Sequence, residues 1–318
     1  MDIIKDLRSF LIVWFGQMLS LTGTGMKRFA LMIWAYQQTG DALSLTLLGF
    51  FSFIGYVIVS PVAGLLVDRV NRRWVMFFAD LGAGLVTIVL MMLFVSGHLE
   101  LWHLYLAEFI IGTLEAFQVT AYSAAISTLI PQKHYARGNA LRSIAYYSSE
   151  IAAPFLGGLL LTIADIEVVL MVDIVTFLIG LGTLLLVKFP AVKKSTADTG
   201  TTFWQKITFG WRYIVQRPGL FWMMMFMLVV NLFASLTYFS VLPVLILERT
   251  GGDELALATV QSILGVGGVI GGIILSIWGG PKRLIHGVLF CTGISFLLGD
   301  FLFAVGLSLP VWMLAAAS

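Results

Sequence analysis

The residues that invite a chemical reading are charges set inside apolar runs: Lys27, Arg28, Asp80, Glu108, Glu115, Glu150, Asp173 and Asp300. A charge at the centre of a bilayer costs about 2.5–3.5 kcal/mol on insertion scales, so each needs a partner or a task. Glu108 and Glu115 are seven residues apart and share one face of a helix. Lys27 lies about nine residues below the outer end of its helix and Glu108 about seven below the outer end of its own. At 1.5 Å per residue the two depths agree within roughly 3 Å. An ion pair between Glu108 and either Lys27 or Arg28 is therefore expected. Glu115 and Glu150 sit near mid-membrane with no evident cation at their depth. A buried carboxylate of that kind can load and release a proton, or it can serve as a structural residue hydrogen-bonded between helices. Both readings stand at this point.

The elements that position these charges are long apolar helices. Hydrophobic residues make up 59% of the 318-residue chain, charged residues 11%, and the mean hydropathy is +0.97. A soluble domain carries about 25% charge. The fold class is an all-α membrane protein, with the lipid bilayer as its first partner. The net charge of +2 is segregated by topology and speaks for no nucleic acid. The single Cys291 excludes a disulfide framework and a cysteine metal site. His98, His103, His134 and His286 are scattered near helix ends. There is no H-E-x-x-H and no phosphate-binding G-K-[ST], so an enzyme, a metal site and a cofactor are not expected.

Taken in order, apolar runs predict helices over about 10–36, 44–67, 74–95, 101–130, 141–163 and 168–187. A polar stretch follows, with a short amphipathic helix expected over 204–213. Further helices are expected over 220–247, 256–278 and 284–305, and a tenth run begins near 309. The domains read as an N-terminal six-helix half (1–188), a cytoplasmic linker (189–217) and an incomplete C-terminal half (218–318). If the N-terminus is cytoplasmic, all but three of the 19 Lys and Arg fall on the cytoplasmic side, the exceptions being Lys27, Arg28 and Arg249. That asymmetry follows the positive-inside rule and implies a multi-pass protein of the cell (inner) membrane.

The loop between the second and third helices reads Gly64-Leu65-Leu66-Val67-Asp68-Arg69-Val70-Asn71-Arg72-Arg73. Asp68 would lie at the negative end of a helix dipole and should be held by Arg69, Arg72 or Arg73. This stretch resembles the signature of the major facilitator superfamily, G-x-L-x-D-R-x-G-R-K/R, with Asn71 in the place of a glycine and able to adopt the same left-handed backbone. By that resemblance Gly64, Asp68, Arg69, Arg72 and Arg73 form a conformational-switch loop. On the fifth helix, Ala153-Pro154-Phe155-Leu156-Gly157-Gly158 is similar to the superfamily's antiporter motif, carried here by Pro154, Gly157 and Gly158. Ala153 replaces its usual glycine, and Tyr146, Tyr147 and Ser148 stand where further glycines would be.

Phe29-Ala30-Leu31, Tyr36-Gln37-Gln38-Thr39-Gly40, Ala121-Tyr122-Ser123-Ala124 and Val172-Asp173-Ile174-Val175-Thr176-Phe177 resemble the branch of macrolide-efflux and enterobactin-export permeases. The resemblance implies two parallel six-helix halves rocking about a central cavity lined by helices 1, 4, 7 and 10. On that pattern the second half stops early and the chain reads as C-terminally truncated. It implies a monomeric secondary transporter that exports hydrophobic drugs, macrolides or a siderophore against protons. A carrier of small polar solutes, or a non-transporting subunit, is the alternative. Asp80 and Asp173 occupy helix-packing positions of the family and should bind backbone or loop groups. Trp34, Phe117, Tyr122, Phe233 and Tyr238 are candidate aromatic walls for a bulky amphipathic substrate.

Overall fold

The computed structural model describes residues 2–67, 69–187, 189, 212–278, 293, 301–306 and 308–317, and these are helical wherever they are regular. The first six helices are α1 (Asp2–Thr39), α2 (Ala42–Val67), α3 (Arg72–Val95), α4 (Leu101–Leu129), α5 (Tyr135–Ile163) and α6 (Ile166–Leu186). They are followed by α7 (Pro218–Leu236), a π turn (Thr237–Val241), α8 (Leu242–Thr250), α9 (Glu254–Trp278), α10 (Phe301–Val305) and α11 (Leu309–Ala317). The run expected as one helix over 220–247 is thus interrupted by the π turn just before Pro243, which lacks the N–H for a regular ladder. The linker lies almost wholly outside the described residues, as do Asp68, Cys291 and Asp300.

Five of the described helices, α2 to α6, are long and apolar enough to cross a membrane. The first helix, expected to cross as well, is not among them. Gln17, Thr22, Thr24, Lys27 and Arg28 dilute its apolar content, because α1 turns this polar stripe inward against α5 and α6. Outward faces are apolar instead: Phe53, Phe78, Met92, Ile163 and Leu186 are all more than half exposed, as suits a surface in contact with lipid.

The first six helices enclose two apolar cores with a polar layer between them. At the end that carries Arg72, Arg73 and Arg137, the core is built from Phe10, Val13, Val67, Met76, Tyr122, Ile126 and Leu184. Towards the opposite end Ala30, Leu31, Leu45, Leu90, Leu104, Ile166 and Val169 form the second. A third core joins the two parts of the chain at that opposite end: Phe29 and Ile33 of α1 pack with Leu242, Ile246, Leu257, Phe303 and Trp312. Small residues let α5 approach α9 there, for a side chain at Gly158 would collide with Ala258 and one at Gly265 with Ile151.

The α2–α4 contact is set by reciprocal notches: a Cβ at Gly112 would strike the Ser52 carbonyl, and one at Gly55 the Phe109 carbonyl. Backbone cannot yield as a side-chain tip can. Gly112→Ala should therefore destabilise the protein by about 1–3 kcal/mol, the range for overpacking. Gly182→Ala, where a Cβ meets open space, should be neutral or slightly stabilising. Thermal unfolding of the two variants in detergent micelles checks the contrast.

Candidate functional site

The polar layer opens into a cavity of about 290 Å³ bordered by α1, α3, α4, α5, α6 and Gln261 of α9. Its charged lining is Lys27, Arg28, Asp80, Glu115, Glu150 and Asp173, and its apolar walls include Leu21, Phe29, Met32 and Phe177. Trp34, Phe117, Tyr122, Phe233 and Tyr238 do not line it. Tyr122 is buried in the core at the arginine end, and Phe233 is more than half exposed on α7. The aromatic residues that do line the cavity are Phe29, Tyr146 and Phe177.

Adjacent residues of α1 take different partners because successive side chains point about 100° apart on a helix of 3.6 residues per turn. Lys27, 1% exposed, turns between α3 and α6, where its Nζ lies 2.9 Å from Asp173 Oδ2 and donates to Thr87 Oγ1 at 2.8 Å. Thr87 donates in turn to Asp173 Oδ2 at 2.8 Å, and Thr24 donates to Oδ1 at 3.1 Å. Asp173, expected to bind backbone or loop groups, is instead the counter-ion of Lys27. A buried ammonium outbids any backbone donor for a carboxylate within reach. Lys27 is accordingly not the partner of Glu108.

Arg28 is that partner. Its Nε is 3.8 Å from Glu108 Oε2, and its Nη2 is 3.5 Å from Glu115 Oε2. The seven-residue spacing on α4 brings both carboxylates to one guanidinium, so Glu115 does have a cation at its depth. The Glu108 side chain is 8% exposed, whereas Arg28 and Glu115 keep 44% and 42% open to the cavity. Glu150 faces the same cavity from α5 and, among the described residues, has neither a hydrogen bond nor an ion pair.

Asp80 also departs from expectation. Its Oδ2 accepts from Gln17 Nε2 at 2.8 Å, a side chain rather than backbone. Gln118 Nε2 donates to Gln17 Oε1 in turn, so α3, α1 and α4 are joined by one chain of amides. The glutamines were not singled out in the sequence because an uncharged amide carries little insertion cost. Their signal was the spacing Gln17, Ser20, Thr24, Arg28, a polar stripe with helical period.

The α2–α3 loop is partly described. Asn71 is extended (φ −64°, ψ 116°), not left-handed, because it caps α3: its side chain accepts from the Arg73 N–H at 3.1 Å. Arg73 donates from Nη2 to the Leu185 carbonyl at 2.8 Å, tying the loop to one of the unsatisfied carbonyls at the end of α6. Arg69 sits in the turn, the Nε of Arg72 is buried, and a Cβ at Gly64 would meet open space. On α5, Pro154 lies within the helix, and Gly157 lets it approach the backbone of Met26 in α1.

Membrane-length helices gathered round a charged internal cavity are the construction of a membrane transporter. The Major Facilitator Superfamily profile matches residues 13–318, and the chain belongs to that family. It is thus a multi-pass membrane transporter, not an enzyme. Macrolide efflux protein A of Streptococcus pyogenes is 24% identical over 322 aligned positions, which cover 95% of this chain and 78% of that protein. Macrolide efflux protein A of Enterococcus faecalis is 25% identical over 289 positions, 85% of this chain and 87% of that protein. Among solved structures, a bacterial homologue of the human lysosomal transporter Spinster, inward-facing and unoccupied, superposes with a TM-score of 0.68 at 16% identity. It covers 98% of this chain and 73% of that one.

Removing one member of a buried ion pair strands the other charge, at a cost of about 3–5 kcal/mol, whereas removing both costs much less. Lys27→Met should lower the melting temperature sharply, and Lys27→Met with Asp173→Leu should recover most of the loss. Unfolding scans in micelles measure both. Equal melting of Lys27→Met and the unaltered protein would contradict a structural role for the pair.

Proposed function

We propose that the chain is a secondary transporter that exports hydrophobic or amphipathic compounds, macrolides or a siderophore among them, in exchange for protons. The observation that carries this reading is the cavity itself. Apolar walls at Leu21, Phe29, Met32 and Phe177 face a charged layer of Arg28, Glu115 and Glu150. An amphiphile needs both surfaces, and carboxylates open to a cavity can exchange protons with it. The names of the two efflux proteins above support export over uptake. In this reading the N-terminus is cytoplasmic and the protein works as a monomer in the cell inner membrane.

Alternating access follows from how the parts are joined. The six-helix half over 1–188 and the part over 218–318, connected by the linker over 189–217, rock about the cavity. The shared core of Phe29, Ile33, Leu257 and Trp312 seals the end opposite the arginine loop, and Gln37 of α1 donates to Glu254 of α9 there at 2.7 Å. At the arginine end the core is built within the first half. Pro154, Gly157 and Gly158 let α5 slide against α1 and α9, and the loop from Gly64 to Arg73, with Asp68, switches between states. Lys27 holds the frame while Arg28, Glu108, Glu115 and Glu150 form the charge layer of the cavity.

The test is accumulation of a radiolabelled macrolide in cells that lack their main pumps and express this chain. Expression should lower accumulation several-fold, and a protonophore should restore it. Arg28→Gln, which leaves Glu108 and Glu115 facing each other unpaired, should return accumulation to that of cells without the protein. Unchanged accumulation in expressing cells would overturn drug export and favour a carrier of small polar solutes.

A further inference from the structure

The amide chain between α3, α1 and α4 can run in either of two directions. Gln17, only 3% exposed, uses both halves of its amide: Nε2 donates to Asp80, and Oε1 accepts from Gln118 Nε2. The other atom of the second amide, Gln118 Oε1, is buried with no donor.

Turning both amides over costs no movement of their heavy atoms, since the oxygen and nitrogen of a carboxamide are nearly the same size. In the turned arrangement Gln17 Nε2 donates to Gln118 Oε1, and Gln118 Nε2 takes the place of the unpartnered oxygen, so each direction leaves one atom of Gln118 without a partner among the described residues. Gln17 Oε1 then faces Asp80 Oδ2, and two acceptors cannot face each other. One proton on Asp80 resolves the conflict, because a carboxylic acid donates where a carboxylate only accepts. The two directions of the chain therefore differ by a single proton.

The surroundings leave Asp80 free to make that change. Cations and acids reach the region from every helix packed round it. On α1 and α6 Lys27 is taken by Asp173, and on α1 and α4 Arg28 is taken by Glu108 and Glu115. Glu150 faces the cavity from α5, and Arg72 and Arg73 lie at the start of α3 itself, at least seven residues away, or about 10 Å along the axis. Among the described residues none of these forms an ion pair with Asp80. The residue nevertheless borders the cavity, so water can deliver a proton to it.

We propose that Asp80 is a proton-binding site whose occupancy reverses the Asp80–Gln17–Gln118 hydrogen-bond chain, so that α3 reports it to α1 and α4. The step is simple to balance. A proton from cavity water adds to Oδ2, the acid donates to Gln17 Oε1, and Gln17 donates to Gln118. Deprotonation runs the same path backwards, with no other bond made or broken. The inference rests on the proton-exchange reading above and specifies where the proton is held: on Asp80, which pairs with no cation but is hydrogen-bonded to Gln17, rather than on Glu115, which pairs with Arg28, or on Glu150, which among the described residues has no hydrogen bond through which to pass the change to another helix.

The test is infrared difference spectroscopy of the full chain in lipid nanodiscs, between acidic and neutral pH. The unaltered protein should show the carbonyl band of a protonated carboxylic acid together with a side-chain amide change. Asp80→Asn should remove both. Gln17→Met and Gln118→Met, which keep the carboxylate, should retain the acid band and lose the amide change. Survival of the acid band in Asp80→Asn with its loss in Glu115→Gln or Glu150→Gln would overturn Asp80 as the site and leave proton exchange intact. No acid band in any variant, with macrolide accumulation indifferent to a protonophore, would remove proton exchange itself and Asp80 with it. Should Asp80→Asn fail to fold, the two glutamine variants decide: an unchanged amide signal in both would overturn the reversal.

Discussion

Lys27 and Asp173 are two opposite charges almost wholly withdrawn from water and lipid at the inner edge of the cavity, and α1, α3 and α6 are arranged so that they can meet. Their side chains are 1% and 2% exposed, 2.9 Å apart. Desolvating two ions costs several kcal/mol each, and their attraction repays this only with good geometry and further hydrogen bonds. Thr24 and Thr87 supply those bonds. The requirement fixes α1, α3 and α6 in rotation as well as in position, because a quarter-turn of any one would strand a charge in hydrocarbon. Once α1 is held this way, Arg28 must point along the neighbouring direction, towards α4 and the cavity. Arg28 is thus oriented by Lys27, a single residue away.

Much of the architecture was legible because lipid penalises errors that water forgives. Runs of apolar residues broken by Gly40, Gly97 and Pro131 mark most helix ends of the first half to within a few residues, but α1 begins at Asp2 rather than near 10 and α5 at Tyr135 rather than near 141, because the polar first turns of both lie outside the apolar runs. The seven-residue spacing of Glu108 and Glu115 placed both on one helix face, and Arg28 meets both, although no cation was expected at the depth of Glu115. What resisted reading was rotation about the helix axis. Lys27 and Arg28 share a depth, so depth matching offered both to Glu108 and could not choose. Asp80 and Asp173 resembled packing residues of the family, and pattern alone does not show that a lysine lies within reach of one and only amides near the other. Asn71 misled for a related reason. It stands where a glycine is usual, which suggested left-handed backbone, yet its side chain offers a helix cap that glycine lacks.

The layering of the first half explains why its polar groups can be both buried and usable. An apolar core lies towards each end of the bundle, leaving a polar belt between them lined by α1, α3, α4, α5 and α6. In that belt the groups differ in how fully they are satisfied. The Lys27–Asp173 pair is almost fully buried and hydrogen-bonded by Thr24 and Thr87. Arg28 is shared between two carboxylates at 3.8 and 3.5 Å, distances that leave room for a competing ligand. The glutamine chain is satisfied except at one oxygen. This gradient, from complete to incomplete satisfaction, runs from the packed interior to the cavity wall.

Incompleteness at the wall is what a transporter requires of its site. A binding layer in which every donor and acceptor is already matched gains nothing from a ligand or a proton, and so cannot convert binding into movement. A layer left wholly unmatched would not survive in a membrane. The compromise visible here places each unsatisfied group within one residue or one hydrogen bond of a fully satisfied one: Arg28 beside Lys27, Gln118 beyond Gln17. On the proposed reading, binding alters the hydrogen bonding of the belt without disturbing the ion pair that holds α1, α3 and α6. Because α1 also carries Phe29 and Ile33 into the core shared with α8 and α9, a change in how α1 is gripped by α3 and α4 is felt where the two parts of the chain are joined.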